Sequence, residues 1–286
     1  MSYAPSPRPT FVSPTAIPYA SVTRHLWGDD ESGEVADWIY VSSDQIHQLV
    51  FALPPGGAFQ HSDAYRTIFA ADEVLFVLSG TMVLANPETG EVHRIAPGEA
   101  AFFRRDTWHH AWNWGTDDLR VLELFSPPPS QGTSGSYART KPLLPTIRYH
   151  QDQWLGRWPE EAEQARRADT IHVIRPHDLR WRLEGQDHPA LVGLFVSTEH
   201  ITVGKLQLLP GQRTDGEIHG GAESLYVLDG PVHVRTPDCP PPSLFELHTG
   251  DGFYVPQGIA HQYYNFSDHP VEIIFGVAPA YSPGSA

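Results

Sequence analysis

One cysteine, Cys239, occurs in 286 residues. No disulfide can form within the chain, and a zinc site built on several thiolates is excluded. Such cysteine poverty is compatible with a reducing compartment. Long apolar runs are also missing: none approaches the ~20 residues that a membrane helix needs. The segment Met1–Pro18 lacks a basic start followed by an apolar stretch, so it does not read as a secretory signal, and the cytoplasm is the expected location. Basic residues are scarce, 19 against 34 acidic ones, for a net charge of −15. Nucleic acid and anionic membranes attract basic patches, so neither is expected as the main partner. No stretch resembles a DNA-reading helix-turn-helix.

What the chain does contain is turn-forming punctuation. Its 27 prolines and 24 glycines separate short apolar-rich runs. Such runs predict many short strands, hence a sandwich or barrel. They include 74–78, 100–103, 119–125, 202–208, 225–228, 252–255 and 271–277. One helix is predicted over 159–167, where Pro159 opens the segment, Glu160, Glu161 and Glu163 come early, and Arg166 and Arg167 come late. Residues 127–145, with Pro127, Pro128 and Pro129 followed by Ser130, Gly132, Ser134 and Gly135, read as a connector. The expected units are therefore 1–126, a linker with a short helix over 127–170, and 171–286.

An internal repeat supports two units of similar build. Glu73 and Gly80 are spaced like Glu223 and Gly230. Gly98, His109 and Asn113 are spaced like Gly250, His261 and Asn265. In the second half, Glu217 and His219 are two residues apart and share a face in an extended chain. Glu223 can join them after Gly220 and Gly221, and His261 can arrive from a distant strand. Two imidazoles and two carboxylates suit Mn, Fe, Ni or Zn. Alternatives stay open: Glu217 can turn away and leave three ligands, or the pocket can bind without metal.

These residues resemble the cupin superfamily. Its first motif is matched at Gly211, His219, Glu223 and Gly230, with Glu217 where the family has a first His. Its second is complete at Gly250, Pro256, Gly258, His261 and Asn265. The resemblance implies an all-β chain of two tandem cupin-type jelly-roll (double-stranded β-helix) barrels with a short helical linker. It also implies a divalent metal ion held by Glu217, His219, Glu223 and His261. The first half departs from the pattern. Arg104 and Asp106 replace the Pro and Gly, and residues 66–69 before Glu73 contain no His. A second metal site from His61, Glu73 and His109 is set against a barrel whose role is structural.

Aromatic residues gather near both second motifs: Trp108, Trp112 and Trp114, then Phe253, Tyr254, Tyr263 and Tyr264. Alternation places Tyr263 on the His261 side, as a pocket wall near the substrate. Lys205 and Gln207 share a face that either lines the pocket or meets solvent. The expected function is a metal-dependent bicupin enzyme on a small oxygenated molecule, first a dioxygenase-type oxidoreductase with Glu217 and Tyr263 at the chemistry. A non-redox isomerase, epimerase or lyase on a sugar or keto acid is the alternative, with Glu217 or Glu223 as general base. A non-catalytic small-molecule binder is the third reading, and assembly into a homo-oligomer is left open.

Overall fold

A computed structural model of the chain describes residues 6–128 and 136–283. Residues 129–135 of the expected connector lie outside the described residues. The chain begins with β1 (Thr15–Ile17), β2 (Thr23–Asp29), β3 (Gly33–Ser42), β4 (His47–Leu53), β5 (Ala58–Phe59) and β6 (Asp72–Ser79). It continues with β7 (Met82–Asn86), β8 (Glu91–Ile95), β9 (Ala100–Phe103), β10 (His110–Asn113) and β11 (Leu119–Ser126). Two helices follow, α1 (Ser136–Thr140) and α2 (Pro159–Arg167). Then come β12 (His172–Ile174), β13 (Arg180–Glu184), β14 (Ala190–Ser197), β15 (Thr202–Leu208), β16 (Ala222–Asp229) and β17 (Val232–Arg235). The last strands are β18 (Leu244–Leu247), β19 (Gly252–Val255), β20 (Gln262–Tyr264) and β21 (Val271–Ala278).

Each half folds a seven-stranded sheet over a smaller one. The large sheets run β12-β9-β6-β11-β4-β3-β2 and β1-β19-β16-β21-β15-β14-β13. Read in parallel, the two orders are the same architecture twice. The small sheets are β5-β10-β7-β8 and β18-β17-β20. Between large and small sheet lies an apolar interior, formed by Leu49, Phe51, Leu84 and Val121 in the first unit and by Leu206, Val234, Phe253 and Ile273 in the second. This follows from strand alternation: every second side chain points inward.

The units exchange edge strands. β1, near the start of the chain, pairs with β19 of the second sheet, and β12 pairs with β9 of the first. The expected segments 1–126 and 171–286 are thus each completed by three residues of the other. A third apolar layer lies between the large sheets, with Tyr40, Val50, Phe76 and Leu124 meeting Val203, Tyr226 and Ile274. Polar groups inside it are paired across the units. Gln48 donates to the Leu225 carbonyl at 3.1 Å and accepts from the Ser224 hydroxyl at 2.8 Å. Tyr40 donates to the Gly250 carbonyl at 2.6 Å.

The repeat is also carried by two buried asparagines. Asn113 donates to the carbonyls of Leu53 and Asp117, and Asn265 to those of Leu208 and His269. Each pins the end of one inner strand to a neighbouring loop. Asp106 preserves the geometry of the glycine it replaces: its φ of +66° matches the +77° of Gly258. A left-handed residue with a Cβ is disfavoured, although Asp tolerates it better than most. Lys141 at 2.9 Å and the Tyr137 hydroxyl hold its carboxylate.

The linker is clamped to the first unit by Glu91. Its buried carboxylate accepts from the backbone N–H groups of Thr170 and Ile171, at 2.9 and 3.2 Å, and from the Thr170 hydroxyl. Burial pushes this carboxyl up, but the hydrogen bonds from His93, Thr170 and Ile171 outweigh it and hold it at about 2. Its stabilising contribution is therefore full above the ordinary value of 4.5 and fades as pH falls toward about 2. Glu91→Gln is expected to cost about 2 kcal/mol at neutral pH, the scale of a buried charged hydrogen bond. In urea midpoints measured against pH, the gap between wild type and variant should narrow below about pH 4.5. A gap constant down to pH 2 would contradict the clamp.

Candidate metal centre

The second interior holds the residues singled out by the motifs. Glu217 is fixed by a two-way backbone bridge to His261, Glu217 N–H to the His261 carbonyl at 2.9 Å and the reverse at 3.0 Å. His219 follows in the same irregular stretch, and its carbonyl accepts from the Gly258 N–H at 3.1 Å. Glu223 is the second residue of β16, and His261 immediately precedes β20. Four side chains from three segments thus face one another at the inner end of the unit.

Glu217, His219 and His261 each present a ligand atom, all within 4.8 Å of one another. Glu223 Oε2 lies 2.8 Å from His261 Nε2 and 3.6 Å from His219 Nε2. Glu223 is 2% exposed at its side chain and Glu217 22%, so the first sits at the bottom and the second at the rim. Both imidazoles are oriented by backbone carbonyls. His219 Nδ1 donates to Tyr281 at 2.8 Å and His261 Nδ1 to Ile259 at 3.1 Å. With Nδ1 committed to a carbonyl, each Nε2 points toward the centre, where it would give up any proton to bind a metal, the orientation common to metal-bound histidines.

The electrostatics match. Burial raises the Glu217 carboxyl to about 7, the charge of Glu223 adds to this, and His261 opposes it. Burial works against ionisation of Glu223 as well, but His261 and His219 hold its carboxyl below the ordinary value. His261 is raised to about 9, burial being outweighed by Glu223. Glu223 Oε2 and His261 Nε2 are buried against each other at 2.8 Å, and the Tyr263 hydroxyl is buried beside Glu223. Converging buried polar atoms of this kind are costly unless their charges are balanced. A divalent cation bound by nitrogen and oxygen donors does so, and the donor set fits one.

The surrounding cavity is small, about 10 Å³, and walled by Val192, Leu206, Phe275 and the rings of Tyr263 and Tyr281. Tyr263 stands edge-on to His261 with centroids 5.3 Å apart, on the side expected from alternation. Burial first, then the charges of Glu223 and Glu217, keep its phenol protonated well above the usual range. Lys205 and Gln207 do not line this cavity. Both bind Glu272, at 2.7 and 3.0 Å, and the intervening Leu206 points inward.

Tyr281 escaped the sequence reading. Besides accepting from His219 through its carbonyl, it stacks its ring on that imidazole at 4.7 Å and donates its hydroxyl to Glu184 at 2.6 Å. It lies past the last strand, in a segment without periodicity or motif. Only its aromatic character in a Pro-rich tail hinted at a docked role.

In the first unit the corresponding ligands are not assembled. Thr67 and Phe69 occupy the places of Glu217 and His219, with the same backbone bonds: the Thr67 carbonyl accepts from His109 N–H and the Phe69 carbonyl from Asp106 N–H. Glu73 and His109 face each other at 3.8 Å. His61 does not complete the expected triad. Its Nδ1 is 2.6 Å from His110 Nε2, and its ring packs on Trp108. The longer loop before Glu73 carries His61 to His110 and Trp108 instead of to Glu73. Among the described residues, one more group has metal-like spacing, Glu91, His93 and Asp169. Glu91 there is already saturated by the linker clamp.

Comparison with known proteins agrees with this architecture. The family described as "Cupin domain" matches residues 49–125 and 204–277. No curated protein matches the sequence significantly. Among solved structures, a Pseudomonas aeruginosa protein named as glyoxylate-induced is similar with a TM-score of 0.65 and 17% identity, over 97% of this chain and 94% of the other. Oxalate decarboxylase from Bacillus subtilis gives 0.61 and 14%, over 98% and 79%. AerE from Microcystis aeruginosa gives 0.58 and 12%, over 90% and 97%. At these identities the likeness is one of fold.

One metal ion per chain is expected after loading with Mn, Fe, Ni or Zn. His261→Ala should abolish occupancy measured by elemental analysis, and His109→Ala should leave it within about 20% of wild type, because a remaining complete donor set sets affinity. Equal losses in both variants would show two competent centres.

Proposed function

We propose, from the premise that this chain belongs to the cupin family and carries two cupin domains in tandem, that its second unit is a metal-dependent enzyme site. The reaction we infer is proton transfer on a small oxygenated acid, of the isomerase or lyase type. His219, Glu223 and His261 would hold the ion. When bound, a divalent ion supplies Lewis acidity toward a carbonyl or carboxylate oxygen. The observation that carries this reading is the separation of the two carboxylates. Glu223 is sunk against His261, while Glu217 stands at the rim with partial solvent access.

A general base must reach the substrate and hold its proton weakly enough to exchange it near neutral pH. Glu217 meets both conditions, and its elevated carboxyl supports the assignment. It takes a proton from carbon beside a carbonyl and returns it to another atom of the same molecule, so no external oxidant enters the balance. Tyr263, kept as a neutral phenol, donates a hydrogen bond to substrate oxygen. The walls Val192, Leu206 and Phe275 leave about 10 Å³, room for about one water-sized group, so only the reacting end of a substrate would enter past Glu217. No lysine or arginine lines the cavity, so an anionic substrate finds its positive partner in the ion. That the oxalate decarboxylase named above acts on a small dicarboxylate is consistent with this substrate class.

A dioxygenase-type oxidation is the second reading. The observation favouring it is the set His219, His261 and Glu223, two imidazoles and one carboxylate, which leaves coordination positions open as in non-haem iron oxygenases. Both readings are tested with a panel of keto acids, hydroxy acids, enols and catechols, incubated with and without oxygen. Proton transfer predicts turnover equally fast under nitrogen, with deuterium from solvent found in product. Oxygen-dependent turnover would overturn it in favour of the oxygenase. Glu217→Gln should lower kcat by about 10²- to 10⁴-fold, the usual scale for loss of a general base, with metal occupancy changed less than about twofold. A variant that loses the metal and the activity together would show Glu217 to be chiefly a ligand.

A further inference from the structure

We propose that the interior of the first unit is a separate binding site for a small primary alkylammonium ion. It occupies the same place in its unit as the metal centre does in the second, but its chemistry has been moved to other strands. Phe275 of the second unit pairs with Leu225, and at the matching position of the first unit Glu123 pairs with Leu75. Val192 pairs with Leu206, and at the matching position Asp37 pairs with Phe51. Two apolar wall positions have become acids, and the ligand positions 217 and 219 have become Thr67 and Phe69.

The result is a cavity of about 50 Å³ lined by aromatic rings and by Asp37, Thr67, His109 and Glu123. At about 12 Å³ for each water-sized group it accommodates about four non-hydrogen atoms. Its rings include Trp27, Phe59, Phe69 and Phe125. Aromatic faces attract cations, most strongly where water is excluded. No lysine or arginine lines the cavity, so the acids have no resident counter-charge.

Three carboxyls converge in this interior. Glu123 lies beside Glu73, whose carboxyl is raised by burial and by the charge of Glu123. Burial raises Asp37 well above its ordinary value, with the charge of Glu123 adding to it, and burial raises Glu123 to about 7. His109 is depressed by burial to about 4 and is neutral as well, so the interior keeps its acids protonated, and an entering ammonium ion would displace a proton from Glu123. An independent observation points to a ligand. The Thr67 hydroxyl lines the cavity, is 2% exposed, and has no hydrogen-bond partner. An unsatisfied buried hydroxyl is destabilising, and an incoming N–H donor relieves it.

These features select among cations. Asp37, Glu123 and Thr67 offer oxygen acceptors, and a primary ammonium carries three N–H donors where a quaternary one has none. A divalent metal is disfavoured by spacing. Among the described residues, the first-unit acids and His109 do not bring three ligand atoms within 4.8 Å of one another. Glu123, unlike Asp37, is partly exposed.

The test is calorimetric titration of the full chain with propylammonium, 1-propanol, tetramethylammonium and Mn²⁺, each in turn. Propylammonium should bind with one site per chain, and 1-propanol, equal in size but uncharged, at least tenfold more weakly. Glu123→Gln and the near-isosteric Thr67→Val should each weaken propylammonium binding by tenfold or more. His261→Ala, which dismantles the other site, should leave it in place. Thermal melting establishes that each variant is folded, and Thr67→Val decides if Glu123→Gln is not. Equal binding of the alcohol, absence of propylammonium binding at millimolar concentration, loss of binding in His261→Ala, or an Mn²⁺ site removed by Glu123→Gln would each overturn the proposal.

Discussion

A carboxylate buried inside a small apolar barrel has to be neutralised, because leaving a lone charge out of water costs several kcal/mol. Glu223 imposes that constraint on the second unit. It projects inward from β16, where the neighbouring inward positions are apolar, and it is almost without solvent. His261 answers it at 2.8 Å, His219 at 3.6 Å, and each imidazole is in turn held by a backbone carbonyl. The site is therefore a stack of dependencies. The Pro256–Gly258 turn and the bridge to Glu217 place His261, the docked tail at Tyr281 places His219, and the two together make ionised Glu223 tolerable.

The first unit inherits the same problem at Glu73 and resolves it differently. Phe69 stands where a second imidazole would be, and His109 remains at 3.8 Å, held neutral by burial. The carboxyls of Glu73 and Glu123 are both raised, first by burial, so protons do there what histidines do in the other half. Identical backbone registers thus carry two different charge solutions. A cupin barrel fixes where inward side chains meet, and the residue types at a few positions decide which ion the interior accepts.

Much of this was legible from the residues. Strands β9, β15 and β19 and helix α2 end where the turn residues and charges place them, because each is bounded locally by Gly, Pro or a charged cap. The repeat and the convergence of Glu217, His219, Glu223 and His261 are readable, since both depend on fixed spacing. The exchange of β1 and β12 was not. Three-residue edge strands carry no usable period, and their partners lie more than two hundred and about seventy residues away. A site from His61 with Glu73 and His109 does not form, because sequence proximity to Glu73 says nothing about the direction the intervening loop takes. Lys205 and Gln207 were assigned a shared face correctly, but which face it was depended on Glu272 in a strand far along the chain. Tyr281 and the acids Asp37 and Glu123 sit in sequences that read as ordinary tail and ordinary strand. Their significance exists only once the interior is closed.

The account rests on two imidazole nitrogens meeting one divalent ion beside Glu223. Pulsed electron paramagnetic resonance on the Mn²⁺-loaded protein tests this directly, because nitrogen couplings report imidazole bound to the metal. Two such couplings are predicted in wild type, with one lost in His219→Ala and in His261→Ala. A bound Mn²⁺ showing no nitrogen coupling, or couplings unchanged in both variants, would contradict it.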